Sequence, residues 1–241
     1  GLGMVMASGC GSKTLIRVGG GSLKSLVVFL VMGLAAFATL RGVTAVWRAE
    51  TVDRVFLTPA AGAGLPQWLA LAGGWELGDA TLGLGLLLGL GLAAWALSGR
   101  GFWRPAHLLG GLGTGATLVL MWWVSGHLGL VAEHPETLET VNLGTASGRM
   151  EALTFTAPMA HVLDWLIFYS DRQKLLTLGV ASVLGVVTGA LLESLATRSF
   201  RWEGFRDTRD TAMHLAGAVC MGVGGVTAMG CTIGQGLSGL S

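Results

Sequence analysis

The chain has 241 residues, of which 52% are hydrophobic and only 12% are charged. A soluble domain normally carries about 25% charged residues, so this composition indicates a membrane protein and excludes an ordinary soluble domain. The net charge of +1 gives no reason to expect a nucleic-acid partner. The fold class predicted from these values is an all-α membrane protein, a bundle of several membrane-spanning helices.

The first predicted elements are one short helix and one full span. Residues 1–9 form an apolar helix that ends at Gly9-Cys10-Gly11. Nine residues rise only about 14 Å, too little to cross a hydrocarbon core of about 30 Å. The first full span is predicted at 25–40. Residues 41–79 are predicted to be a loop with one interfacial helix at 65–72.

Three further spans are predicted at 80–98, 105–124 and 175–195. Each contains closely spaced glycines, which are expected to let neighbouring helices approach closely. The segment 153–169 is apolar but interrupted by polar residues and a proline, so it is either a re-entrant or interfacial helix or a poor span. A last apolar helix begins at Thr211. The spaced glycines are Gly83, Gly85, Gly89, Gly91, Gly110, Gly111, Gly113, Gly115, Gly185 and Gly189.

The charges of the loops predict the orientation in the membrane. Basic residues in short loops mark the cytoplasmic side. The loops at 13–24, 100–104 and 198–209 are basic and are therefore expected inside. The loop at 125–152 contains Glu133, Glu136, Glu139 and Glu151, and is expected outside.

The two ends of the chain resemble each other. Residues 1–10 and 222–231 share six of ten positions, including the final Gly-Cys pair, which indicates an internal repeat. The first copy runs into a basic loop and the second starts from one, so we expect an inverted repeat with Cys10 and Cys231 near the membrane centre. We interpret residues 1–241 as one transmembrane transport domain, incomplete at both ends, with repeat motifs at 1–20 and 222–241.

The glycine-rich breaks around the two cysteines form the candidate site. Irregular backbone at membrane depth is tolerated where it lines a cavity. A thiol is polarisable and a weak donor, and loose backbone N–H groups add donors, so the pattern favours a sulfur-bearing anion. Gly9 and Gly230 are expected to adopt left-handed angles that other residues disfavour. The candidate residues are Cys10, Cys231, Gly9, Gly11, Gly230, Thr232, Gly234 and Gln235.

Other interpretations of the cysteines stay open at this stage. A free cysteine often acts simply as a small buried hydrophobic residue. Cys220 has no counterpart in the first copy and is interpreted as a core-packing residue. Since the cysteines have no metal spacing and no haem or nucleotide motif is present, no cofactor or metal is predicted.

Two long motifs resemble the YeeE/YedE sulphur-transport family. They run from Ala7 to Leu26 and from Met229 to Ser238. The resemblance implies uptake of thiosulfate across the bacterial inner membrane, through a multi-pass fold in which re-entrant helices place cysteines along a central path. It also implies that Cys10 and Cys231 are pore cysteines, which pass the anion by S–H hydrogen bonds without a covalent intermediate.

Three alternatives remain beside uptake of thiosulfate. Some family members are linked to selenium compounds, so the anion is open. A membrane sulfurtransferase would carry a persulfide on Cys231, but it needs a thiolate, and the second motif has no nearby Lys or Arg. A structural subunit would leave the repeated cysteines unexplained. The expected partners are the lipid bilayer, an inorganic sulfur anion and a soluble cytoplasmic sulfur-carrier protein, with no enzymatic activity.

Overall fold

The computed structural model describes residues 1–55, 64–99, 101–128, 130–131, 141–142, 144–148, 150–151, 153–170 and 176–238. The predicted orientation of two loops depends on Arg100, Glu133, Glu136 and Glu139, which lie outside these residues. The helices are α1 (Leu2–Met6), α2 (Gly11–Gly19), α3 (Leu23–Arg41), α4 (Val43–Thr51), α5 (Leu65–Gly73), α6 (Leu77–Ser98), α7 (Pro105–Trp123), α8 (Thr156–Ile167), α9 (Leu178–Ala196) and α10 (Thr208–Thr227). Short 3₁₀ or π-helical turns cover Val52–Arg54, Val124–Leu128 and Gly234–Ser238.

The chain divides into two compact units. One comprises Gly1–Val52 and Leu118–Leu240, and the other comprises Asp53–Thr117. In the second unit α5 packs against α6. The first unit contains both copies of the repeat, and therefore every candidate site residue.

Four helices in the described part of the chain are long and apolar enough to cross a membrane. They are Leu23–Arg41, Leu77–Ser98, Pro105–Leu128 and Leu178–Ala196. These correspond to the four predicted spans, with ends that differ by a few residues. The helix predicted at 65–72 is α5. The prediction of an all-α, multi-pass membrane protein is therefore confirmed.

Helix α8 resolves the ambiguous segment. Its 12 residues rise about 18 Å, too little to span the hydrocarbon core. Most of its side chains are buried, including Met159 and Asp164, which are 0% and 9% exposed. A helix lying on the interface would expose one face, so the structure favours a short helix inserted into the protein.

Three local predictions were wrong. Most of the predicted loop at 13–24 belongs to α2, because the run from Ser12 to Val18 contains neither glycine nor proline to interrupt a helix. Residues 43–51 form α4 instead of a loop, because the run from Val43 to Thr58 contains neither glycine nor proline to interrupt a helix. The predicted loop at 125–152 contains a short antiparallel pair, β1 (Leu130–Val131) and β2 (Val141–Asn142), with Leu130 opposite Asn142.

Close helix packing occurs at different glycines from those predicted. No heavy atom of the described chain, apart from the helix's own backbone, lies within 4 Å of a Cβ added to the spaced glycines of α6, α7 and α9. Close approaches occur instead at Gly3 of α1, Gly19 of α2, Gly33 of α3 and three glycines of α10. A Cβ on Gly217 would lie 2.8 Å from the Gly3 carbonyl oxygen, and one on Gly222 would lie 2.6 Å from the Met32 carbonyl oxygen. A Cβ on Gly225 would lie 2.6 Å from the Thr156 side chain.

Helix α3 lies at the centre of the first unit, in contact with α2, α4, α8 and α10. Helix α10 also contacts α1 and α8. Helix α1 runs antiparallel to α10, because Gly3 contacts Met221 and Gly217 while Ala7 contacts Gly217. The buried core around these helices includes Leu15. The two copies carry their cysteines just after the ends of α1 and α10, and both cysteines are partly buried.

Candidate functional site

The two copies of the repeat share their backbone geometry as well as their residues. Ala7 ends α1 with φ −90° and ψ 10°, and Ala228 ends α10 with φ −82° and ψ 6°. The next residues, Ser8 and Met229, are both left-handed, with φ of 58° and 54°. The chain therefore makes the same bend after each helix, at positions that the sequence alignment pairs.

The same hydrogen bonds close both helix ends. The Gly9 N–H donates to the Met4 carbonyl at 2.9 Å, and the Gly230 N–H donates to the Gly225 carbonyl at 2.9 Å. Neither glycine has a positive φ, so the prediction that Gly9 and Gly230 supply the left-handed angles was wrong. The left-handed position is one residue earlier, since the glycine N–H must point back into the helix end to make this bond.

Each cysteine then starts a new helical segment. Cys10 is the N-cap residue of α2, and its carbonyl accepts from the Thr14 N–H at 3.0 Å. Cys231 precedes the helical turn at 232–238, and its carbonyl accepts from the Gln235 N–H at 2.8 Å. Helix N-termini carry unpaired N–H groups and a partial positive charge, so both cysteines stand where an anion is favoured.

All three cysteines of the chain line one cavity of about 280 Å³, which we call the central cavity. None of the described side chains that line it is charged. Three methionines, Met4, Met32 and Met221, add thioether sulfurs to its wall. Its other lining residues are Gly1, Gly3, Gly11, Thr156, Gly224, Gly225, Ala228, Gly230, Thr232 and Gln235.

The cavity brings together most of the predicted site residues. Those that line it are Cys10, Gly11, Gly230, Cys231, Thr232 and Gln235. The other two lie beside it. Gly9 belongs to the bend that leads to Cys10, and Gly234 lines a neighbouring cavity.

The interpretation of Cys220 as a core-packing residue was wrong. Its side chain is exposed and lines the central cavity with the other two thiols. The hydrophobic periodicity of α10 does not separate the cavity face from the core face, because glycines occupy contact positions on both. The sequence did offer one signal for the cavity face. Cys220 lies one helix turn before Gly224, and both residues line the central cavity.

The thiol of Cys231 accepts two hydrogen bonds. The Gly234 N–H lies 3.3 Å from its Sγ, and the Thr154 hydroxyl lies 3.8 Å from it. Since both groups donate to sulfur, the thiol's own hydrogen is left to donate elsewhere. Sequence reasoning missed Thr154, because it lies 77 positions away in an irregular segment before α8 and belongs to no motif.

The thiol of Cys10 also has a hydroxyl partner, since Ser12 Oγ lies 3.1 Å from its Sγ. Partial burial raises the pKa of the Cys10 thiol, but hydrogen bonds from the Ser12 hydroxyl and from the backbone N–H groups of Lys13 and Ser12 outweigh it. The net effect is that the pKa lies below its usual value. In both copies, therefore, a hydroxyl group sits against the cysteine sulfur.

Two polar side chains of the second copy hold the site together. The Thr232 hydroxyl donates to Met4 Sδ at 3.3 Å, which ties the second motif to α1 of the first. The Gln235 amide donates to the Ala228 carbonyl at 2.9 Å, which satisfies the broken end of α10. Gln235 thus has the partner that an amide in an apolar segment requires.

Two larger cavities flank the central one. The Ser8 cavity, of about 560 Å³, is lined by Ser8 and by residues at the start of α3 and α10. The Met229 cavity, of about 550 Å³, is lined by Met229, Gly234 and residues near the ends of the same helices. Each copy thus contributes its left-handed residue to an outer cavity and its cysteine to the central one.

The three cavities are arranged in order along α3. Lys24 lines the Ser8 cavity, Met32 the central cavity and Leu40 the Met229 cavity. Leu40 lies sixteen positions after Lys24 on this helix, a rise of about 24 Å. Helix α10 gives the same order, from Asp210 to Val226. The cavities therefore follow one another along a helix long enough to cross a membrane.

Fold and site together define a multi-pass helical membrane protein built around a thiol-lined cavity. Over residues 1–241 the chain matches the family described as sulphur transport, and it belongs to that family. The resemblance drawn from the two cysteine motifs is thereby confirmed.

Two curated relatives carry the name thiosulfate transporter TsuA. The protein from Escherichia coli (strain K12) is 38% identical over 95 residues, which cover 39% of this chain and 26% of that protein. The protein from Spirochaeta thermophila is 25% identical over 252 residues, which cover 100% of this chain and 67% of that protein. The chain thus matches about a quarter of the length of one relative and two thirds of the other.

Proposed function

We propose that this chain takes up thiosulfate, or a closely related sulfur-containing anion, across the bacterial inner membrane. The observation that carries the proposal is that both repeat cysteines start a helical segment on the wall of one cavity whose described side chains are uncharged. Helix N-termini pointing at the negative group of a substrate are typical of transporters with discontinuous helices. Membership of the sulphur transport family and the name of the two relatives support the same substrate.

The mechanism follows from the hydrogen bonds at the two thiols. Thr154 and Gly234 donate to the Cys231 sulfur, so the thiol hydrogen points away from them and can bind an anion in the cavity. A neutral, polarisable donor holds a soft sulfur anion weakly. Weak binding allows the anion to leave for the next site, as conduction requires. The anion passes from one thiol to the next without forming a covalent bond, and the chain acts as a transporter and not as an enzyme.

The two copies of the repeat indicate how the path of the anion crosses the membrane. We interpret the two copies as inverted, because α1 runs antiparallel to α10 and the bends after them are alike. The three cavities in line along α3 then form the route across the membrane, with the Ser8 cavity on the cytoplasmic side because basic loops surround it. A soluble sulfur-carrier protein would receive the anion there.

Substitution of Cys231 tests the proposal. Cys231→Ser keeps a donor of similar shape, whereas Cys231→Ala removes it. Losing a hydrogen bond to a charged group costs about 1.5–3 kcal/mol, which is about a ten- to hundredfold loss in a binding step. In cells without other thiosulfate importers, we expect partial uptake with Ser and almost none with Ala, at equal expression.

A persulfide carrier would behave differently. Ser and Ala variants would be equally inactive, because neither can hold a persulfide. The wild-type protein would also gain the mass of about one sulfur atom after exposure to thiosulfate. These two results together would replace the transporter with a sulfurtransferase.

A further inference from the structure

We propose that the Ser8 cavity is a second anion-binding site, which takes a small inorganic oxyanion such as thiosulfate or sulfate. The proposal rests on the proposed function only for the identity of the anion and the order in which it meets the two sites. The cavity is lined by four basic side chains and two acidic ones. These are Arg17, Lys24, Arg201, Arg206, Glu203 and Asp210.

The cavity has a net positive charge, although the Asp210 carboxylate interacts electrostatically with Lys24 and Arg206. Among the described residues, none of its four basic side chains has a carboxylate within 4.0 Å. Asp210 is already engaged, since its Oδ2 accepts from the Arg206 N–H at 3.2 Å and its Oδ1 lies 3.0 Å from His214 Nδ1. Glu203 is thus the remaining acidic side chain in the wall. A cavity with this excess of cations concentrates small anions.

His214 provides an independent indication of a ligand. It lines the cavity and is 5% exposed. Its Nδ1 lies 2.8 Å from the Asp210 carbonyl oxygen, so this nitrogen carries a hydrogen. Its Nε2 is buried and has no hydrogen-bond partner within the described chain. Buried polar atoms in native proteins nearly always have a partner, so this nitrogen marks a polar site that the described chain leaves incomplete.

Arg17 connects this cavity to the central one. Its Nη1 donates to the Ser8 carbonyl at 3.2 Å, and so it holds the bend that leads to Cys10. Ser8 lines the Ser8 cavity, and Cys10, two residues later in the chain, lines the central cavity. An anion that leaves the thiols on this side therefore meets Arg17 next.

Anion binding by the purified chain in nanodiscs of neutral lipid tests the site. The variant Cys10→Ala/Cys220→Ala/Cys231→Ala removes every thiol, and binding of ³⁵S-sulfate and of ³⁵S-thiosulfate is measured at equilibrium. We expect this variant to retain binding, and expect Arg17→Gln or Arg201→Gln added to it to weaken that binding about tenfold. Arg209→Gln is the matched control, because Arg209 lies on α10 outside the cavity.

Three results would overturn the proposal. They are no binding by the thiol-free variant, an equal loss from Arg209→Gln, and loss of binding when the nanodiscs contain anionic lipid, which would assign the cavity to a lipid headgroup. Gel filtration of each variant distinguishes loss of the site from loss of the fold. Arg201→Gln is the second variant because Arg201 is a loop residue that, unlike Arg17, does not hold the bend at Ser8. Uptake of thiosulfate by cells is scored separately. If uptake is absent while Arg17-dependent sulfate binding persists, the proposed function fails and this site stands.

Discussion

Ser8 and Met229 adopt the same left-handed backbone, with φ of 58° and 54°, at matching positions of the two repeat copies. Neither is a glycine, although a left-handed conformation costs other residues about 1–2 kcal/mol. Each bend turns the chain so that the cysteine two residues later starts a new helical segment on the central cavity. The likeness of the two ends is therefore structural, and it extends to the hydrogen bonds that close them.

The strain at Met229 predicts a stabilising substitution. Its side chain is 88% exposed, so Met229→Gly loses little packing and relieves the left-handed strain. We expect a gain of about 1 kcal/mol, which raises Tm by about 2–4 °C in a detergent-solubilised thermal melt. Ala228→Gly is the control, because Ala228 is also exposed but has a negative φ. Its Tm should fall, and an equal rise in both variants would argue against strain at Met229.

The two glycines before the cysteines predict unequal effects. A Cβ on Gly230 would lie 2.8 Å from the Gln235 amide nitrogen, so Gly230→Ala should displace the amide from the Ala228 carbonyl. A Cβ on Gly9 would meet only the flexible Lys13 side chain. We expect uptake of thiosulfate to fall strongly with Gly230→Ala and little with Gly9→Ala. Equal losses would show that the bends, and not Gln235, limit transport.

Thr154 is predicted to position the Cys231 thiol. Thr154→Val keeps the shape and removes the hydroxyl, and a weak hydrogen bond is worth about 0.5–1.5 kcal/mol, so uptake should fall about two- to tenfold. Thr154→Ser should restore it. Thr188→Val is the control, because the Thr188 hydroxyl bonds only within α9. If Val and Ser behave alike at position 154, the residue fills space only.

Ser12 is predicted to set the pKa of Cys10. The Ser12 hydroxyl contributes to lowering that pKa, so Ser12→Ala should raise it. Alkylation by iodoacetamide reports the thiolate, and it is followed against pH in a variant with Cys220→Ala and Cys231→Ala. The midpoint should move to higher pH with Ser12→Ala. Since the S–H donor is lost above the pKa, the alkaline fall of uptake in the otherwise wild-type chain should move the same way.

An unchanged midpoint would contradict the assignment of Ser12. A matched control is Ser22→Ala, because Ser22 caps α3 and lines the Ser8 cavity, away from the Cys10 sulfur. It should leave the alkylation midpoint where it is.

The membrane spans and the likeness of the two ends could be predicted from the sequence. The close helix contacts and the full set of residues around the two cysteines could not. A membrane core of fixed thickness demands about 20 apolar residues, which is why α3 and α9 stand out in the sequence. Which glycines pack closely depends on the partner helix, so the spacing of Gly185 and Gly189 misled while Gly222 was overlooked. Thr154 reaches Cys231 across 77 positions, and no local pattern encodes such a contact.

Protection of the thiols by substrate tests most directly whether Cys10 and Cys231 share one anion path. The purified chain is alkylated with N-ethylmaleimide at increasing thiosulfate, and each cysteine is followed by peptide mass spectrometry. Because both thiols line the central cavity, thiosulfate should slow alkylation of both with the same concentration dependence, while chloride should slow neither. Protection of one cysteine while the other reacts at an unchanged rate in saturating thiosulfate would contradict the shared path.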